Sequence, residues 1–168
     1  MTLSMHQASV PAFQKTLTAL NAILDKAVAN ATARKIDPSV FLNARLAPDM
    51  LAFTKQVQIA CDFAKNTTAR LAGLEAPKFA DDETTFDALK ARIAKTLDYV
   101  KSIPAAQVDG SEGRDVTIPI GGQPTTFKGQ AYLVDFALPN FYFHTSAAYL
   151  ILRHNGVEIG KRDFLGRA

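Results

Sequence analysis

The chain has 168 residues, 48% apolar and 21% charged, and its 19 Lys and Arg against 16 Asp and Glu leave a formal charge of +3. That is enough chain for one well-buried core, but the charge is too small and too scattered to neutralise a run of phosphates, so no nucleic-acid partner is expected. Cys61 is the only cysteine, which rules out an internal disulfide and a cysteine-built zinc site, and no apolar run approaches the ~20 residues that cross a bilayer.

The opening MTLSMHQASVPAF has no basic stretch leading into an apolar core, so no signal peptide is read there and a cytoplasmic location is expected. A single domain over 1–168 is the simplest organisation, and eleven Phe with no Trp predict a Phe-rich core. In chain order, Val10, Phe13, Leu17, Leu20 and Leu24 recur at three- and four-residue steps and predict a first helix over 5–30, with Pro11 as a place to kink or restart it. A connector follows, anchored by Phe41 and Leu42. The second helix is predicted over 48–71, opening on Pro48 and Asp49 and carrying Met50, Phe53, Val57, Cys61 and Ala64 on its stripe. Gly73 and Pro77 end it.

The third helix, 84–103, has the clearest periodicity (Phe86, Leu89, Ile93, Leu97, Val100), a Thr84 or Thr85 cap and a stop at Pro104. Val116 to Ile118 and Thr125 to Phe127 flank GGQP and predict a small β-hairpin, a lid or an interface element. QAYLVDFAL reads as a short helix, with extended structure left open. The last long helix is predicted over 139–154, ended by Asn155 and Gly156, with the tail returning as a surface loop. Four amphipathic helices with a hairpin before the last predict an all-α four-helix bundle.

The chemistry-bearing residues gather in the last helix. His144 and His154 are ~15 Å apart along an ideal helix and on different faces, so one ion cannot take both. A ligand at 144 wants a partner at 147 or 148, and both positions are alanine. His154 and Arg153 suit the helix end, and His6 has no readable partner. A pocket between the second and fourth helices would be lined by Gln58, Asp62, Tyr142, His144 and Tyr149, with Arg45 or Arg153 holding an anionic group. Arg45 also has Asp49 four residues on, which predicts a local ion pair. GKRDF lacks the pattern of a phosphate loop, so Lys161 and Arg162 are expected in solvent, with Phe164 anchoring the tail. No nucleophile, base and orienter can be picked out together, which leaves catalysis open.

LPNFYFHTSAAYLILRHNGVEIGKRDFLG, together with ARLAPDMLAFTKQVQIACDFAKN at 44–66, resembles an uncharacterised bacterial family of the DinB/YfiT-like superfamily over nearly the whole chain. The resemblance implies an up-down-down-up four-helix bundle and a homodimer. Many such relatives hold nickel or zinc on three histidines, one on the second helix and two spaced four apart on the last, and some are thiol-dependent transferases. Here His144 matches the first histidine of the pair, Ala148 stands at the second, and the second helix offers only Gln56, Gln58, Cys61 and Asp62. No cofactor is therefore predicted, and the expectation is a small-molecule-binding or dimeric interaction protein. The alternative is a metal-dependent enzyme with His144, Cys61 and Asp62 as a non-standard ligand set.

Overall fold

The computed structural model describes residues 3–167. Met1, Thr2 and Ala168, which fall within the expected 1–168 domain and, for the first two, the start read as lacking a signal peptide, lie outside the described residues. Helix α1 (Met5–Arg34) starts on a capping box in which Ser4 and Gln7 satisfy each other's exposed N–H groups. It runs unbroken through Pro11. Proline removes the N–H that would bond the Gln7 carbonyl, but Gln7 and Pro11 lie on the exposed side, where that carbonyl is open to solvent. The helix does not restart at Pro11, and it extends to Arg34.

The connector carries α2 (Pro38–Asn43), capped by Asp37, whose Phe41 and Leu42 enter the core as anticipated. Helix α3 (Phe53–Ala72) begins later than Pro48 suggests. Met50 N–H closes a turn onto the Ala47 carbonyl (3.0 Å), and Phe53 N–H bonds the Ala44 carbonyl (2.9 Å), so 46–52 is committed to a loop. Met50 accordingly stands outside the helical stripe.

Helix α4 (Phe86–Ser102) is capped by Thr85, which accepts from Ala88 N–H, and a short α5 (Ala105–Val108) follows Pro104. Strands β1 (Asp115–Ile120) and β2 (Gln123–Lys128) pair antiparallel across Gly121 and Gly122. Both glycines have positive φ, +57° and +81°, as a two-residue hairpin turn requires. Gly129 begins α6 (Gly129–Ala131) against the Ser111 carbonyl, which a Cβ there would meet at 2.0 Å. No larger residue fits that crossing.

From α6 the chain continues without a break through a π-helical segment (Tyr132–Ala137) into α7 (Leu138–His154). Pro139 explains the wide turn: it cannot donate to the carbonyl four residues back and its ring crowds it, so the helix widens before Pro139. Beyond Asn155 the tail is more than a surface loop, because Val157 and Ile159 are buried before α8 (Lys161–Phe164). Phe164 meets Tyr149 edge-on at 5.6 Å, while Lys161 and Arg162 face solvent.

Side-chain pairs fix the helix directions. Lys90 near the start of α4 is paired with Asp25 late in α1, and His6 N–H bonds Asp109 just past α5, so α1 and α4 are antiparallel. Phe53 and Phe86, the first residues of α3 and α4, stand 5.8 Å apart, so those helices are parallel. Gln56 meets His144 and Thr67 meets Tyr132, which makes α7 antiparallel to α3. Phe13 on Phe141, with Arg34 bonding the Asn155 carbonyl, makes it parallel to α1. The result is an all-α, up-down-down-up four-helix bundle with one inserted hairpin. Its shared core includes Phe13, Leu17, Phe53, Leu89, Ile93 and Phe141.

Candidate binding site around His144

Because α3 and α4 are parallel, residues 73–85 must return along the whole length of α3, ~30 Å of helix. They do so as a strap pinned to both helices. Arg92, with a side chain only 1% exposed, pairs with Asp62, Asp81 and Glu83, each at 3.0 Å, and also bonds the Ala80 carbonyl at 2.8 Å. Lys65 bonds the Pro77 carbonyl (2.7 Å) and sits 4.3 Å over the Phe79 ring. Gln58 donates to Glu83 at 2.7 Å, leaving its own buried Oε1, like Arg92 Nε, without a partner. With Lys55, which pairs with Asp81 at 2.6 Å, three positive groups balance the three acids, and this cluster holds the strap down.

On the opposite flank of α3, His144 reaches across from α7. Gln56, itself buried, donates through Nε2 to the Leu51 carbonyl (3.1 Å), so its Oε1 accepts from His144 Nδ1 at 2.7 Å. That fixes the tautomer: the proton is on Nδ1 and the lone pair on Nε2. The imidazole stacks on Phe63 (5.9 Å, 19° between planes) and meets Phe143 edge-on (5.2 Å). Phe63 continues to Phe136 (5.9 Å) and Phe136 to Phe127 of the hairpin (5.6 Å), an aromatic row from α7 to β2. Half-burial among these rings pushes the His144 imidazole below its ordinary value.

The residues selected from sequence are therefore not one pocket. Gln58 and Asp62 belong to the Arg92 network facing α4, whereas His144, on α7, packs against the other flank of α3. Tyr142 is 40% exposed, Tyr149 packs on Phe164, and Arg153 is in solvent. Arg45 donates to the Met50 carbonyl and makes no ion pair with Asp49, because the turn at 47–50 presents the carbonyl to it instead. Of the four polar candidates on the second helix Gln56 is the one that meets His144, while Phe63, Arg70, Tyr132 and Arg92 are not among the residues selected from sequence. The available signal was a polar residue at a core position, as with Gln56 one turn past Phe53 and Arg92 one before Ile93.

Residues 5–165 match the family model described as "Domain of unknown function (DUF1993)". The chain belongs to the DUF1993 family. A crystal structure of a DinB family member protein from Shewanella denitrificans is similar to this DUF1993 chain at 44% identity and a TM-score of 0.88, over 96% of this chain and 91% of that one. Among curated proteins none matches. The chain is thus a DinB-like helical bundle.

The three-histidine metal arrangement that the DinB/YfiT-like resemblance implies does not fit this DUF1993 chain. Ala148 stands where a second imidazole would be, the α3 side chain that meets His144 is the neutral amide of Gln56 rather than a histidine, and among the described residues no three His, Cys, Asp or Glu side chains converge. Nor do His144, Cys61 and Asp62 come together. Cys61 is fully buried toward Thr96 of α4, its thiol pushed up to about 12 by desolvation, and Asp62 is bonded to Arg92 and Lys65.

Proposed function

We propose that this DinB-like bundle is a metal-independent interaction module that works as a homodimer, two copies pairing along α7. One observation carries the reading: Phe143 and Leu150 stand 56% and 44% exposed on a helix with no charged residue before Arg153. They lie two turns apart, ~10.5 Å, on either side of Ser146 and Ala147. Around a two-fold axis at those small residues, two antiparallel copies of α7 bring Phe143 of each against Leu150 of the other, so the face complements itself. Leu51, 43% exposed and bonded through its carbonyl to Gln56, widens the patch beside His144. Apolar surface of this kind on a lone chain is a recognised mark of an interface.

The same reading places the module in the cytoplasm, without a nucleic-acid partner, and with the metal site of its relatives lost. Its support is a small net charge, one deeply buried thiol, and no helix among the described residues long and apolar enough to cross a membrane. Light scattering after gel filtration tests the pairing. The expected mass is twice the 18.2 kDa of one chain, falling to the single-chain mass in Phe143→Glu/Leu150→Glu with an unchanged circular dichroism spectrum. A wild-type chain that runs as a monomer at every concentration, or a double variant that still pairs, sinks the reading.

A further inference from the structure

The outer ridge of α3 lies in a furrow. Asp62, Asn66 and Arg70 follow one another along it, the strap at 74–79 forms one bank, and Ile118 and Pro119 of β1 with Phe136 of the π-helical segment form the other. Two cavities meet on this ridge, one of about 540 Å³ on the strap side and one of about 220 Å³ on the hairpin side, and both touch Asp62, Asn66 and Arg70. Phe63 and Phe136, 5.9 Å apart, give the smaller cavity aromatic walls.

The charges along the ridge are unequal in what they have left to do. Asp62 is committed to Arg92 and Lys65. Arg70, among the described residues, has no carboxylate partner; its Nη1 donates to the Tyr132 hydroxyl at 2.8 Å, and that hydroxyl lies 3.3 Å from Thr67 Oγ1. The guanidinium is thus held in place by a neutral group, with further N–H donors to give. Tyr132 and Phe136 both come from the π-helical segment, a geometry that recurs at functional sites.

We propose that this furrow binds a small organic monocarboxylate, its apolar body packed against the paired Phe63 and Phe136 rings and its carboxylate on Arg70 beside Asn66. A planar guanidinium matches a carboxylate through paired N–H donors. Asp62 and Glu75 on the same lining are matched in number by Lys65 and Lys78, so Arg70 is the one charge in excess, which suits a single carboxylate better than a phosphate dianion. The cavity of about 220 Å³ is smaller than the ~300–1,000 Å³ of drug-sized sites, so the body is of single-ring size. No α7 residue is involved, so the outcome is independent of whether the chain pairs.

The chain has no Trp to report binding, so the test is amide chemical-shift mapping with phenylacetate as probe and phenylacetamide as its neutral counterpart. Saturable shifts confined to Phe63, Asn66, Arg70, Ile118 and Phe136 are expected for phenylacetate. Arg70→Gln is expected to weaken it about tenfold or more, the loss of one charge-assisted hydrogen bond, with phenylacetamide weak to a similar degree. Should Arg70→Gln fail to fold, Arg70→Lys keeps the charge but removes the fork, and is expected to weaken phenylacetate by a smaller, still measurable factor. Absent shifts, binding elsewhere, equal affinity for phenylacetamide, or affinity unmoved by the Arg70 variants each overturn the assignment.

Discussion

Replacing Arg92 by methionine tests whether the strap is held by a buried ionic network rather than by packing. The variant keeps an unbranched apolar stem and deletes the charge that Asp62, Asp81 and Glu83 share. The three acids do not suffer equally. Asp81, 40% exposed, keeps Lys55 at 2.6 Å, and Asp62 keeps Lys65 at 3.1 Å. Glu83, 10% exposed, is left with only the Gln58 amide. One orphaned, buried carboxylate is the dominant cost, and breaking a buried pair in this way is worth ~3–5 kcal/mol. For a chain of this size that lowers Tm by ~6–20 °C. Urea denaturation followed by circular dichroism measures the loss, and Arg92→Met/Glu83→Gln should recover ~1 kcal/mol or more because it neutralises the orphan. Trypsin should also cut sooner after the exposed Lys78 in the strap. A loss under ~1 kcal/mol, or a double variant no better than the single one, refutes the reasoning.

His144 and Cys61 yield two further tests. Burial holds the His144 imidazole below its ordinary 6.5, so the folded chain takes up that proton later than the unfolded one. The stability involved is present above 6.5 and is lost as pH falls through the lowered value. The urea midpoint should therefore drop between about pH 7 and about pH 5 in the wild type and drop less in His144→Gln, a window above that of the lowered carboxylates Asp81 and Asp163. Equal slopes would show that His144 does not carry the effect. Cys61, its thiol raised to about 12 inside the core, should resist Ellman's reagent in the native state and react fully in urea. Fast native labelling would show that the α3–α4 seam opens.

The apolar stripes were legible because each repeats over several turns: Phe86 to Val100 and Phe13 to Leu24 face the core as read. Boundaries were lost where tertiary bonds outbid local signals. Pro48 and Asp49 look like a helix start, yet the Ala44 carbonyl and Arg45 claim the backbone at 50–53. Pro139 looked like a first residue and instead marks a widened turn inside a continuous helix. For the site, composition of α7 pointed to His144, but its partner Gln56 is 88 positions away in sequence, and only the antiparallel packing of α3 on α7 selects it over Gln58, Cys61 or Asp62. Arg92 was hidden in plain periodicity, a charge at a core position whose three acids lie in two other stretches of chain, Asp62 on α3 and Asp81 and Glu83 in the strap.

The order of the helices around the bundle also bears on how the molecule is made. Among the described residues, successive long helices form no antiparallel hairpin: α1 and α3 sit across the bundle from each other, α3 and α4 run the same way, and α1 packs chiefly on α4 and on the late elements α7 and α8. On the ribosome, α1 therefore emerges with Phe13, Leu17 and Leu24 uncovered and nothing yet made to cover them. Closure waits for α7, whose Phe141 seats against Phe13 only after most of the chain has been synthesised. Such long-range dependence slows folding relative to a bundle of local hairpins and exposes nascent chains to aggregation.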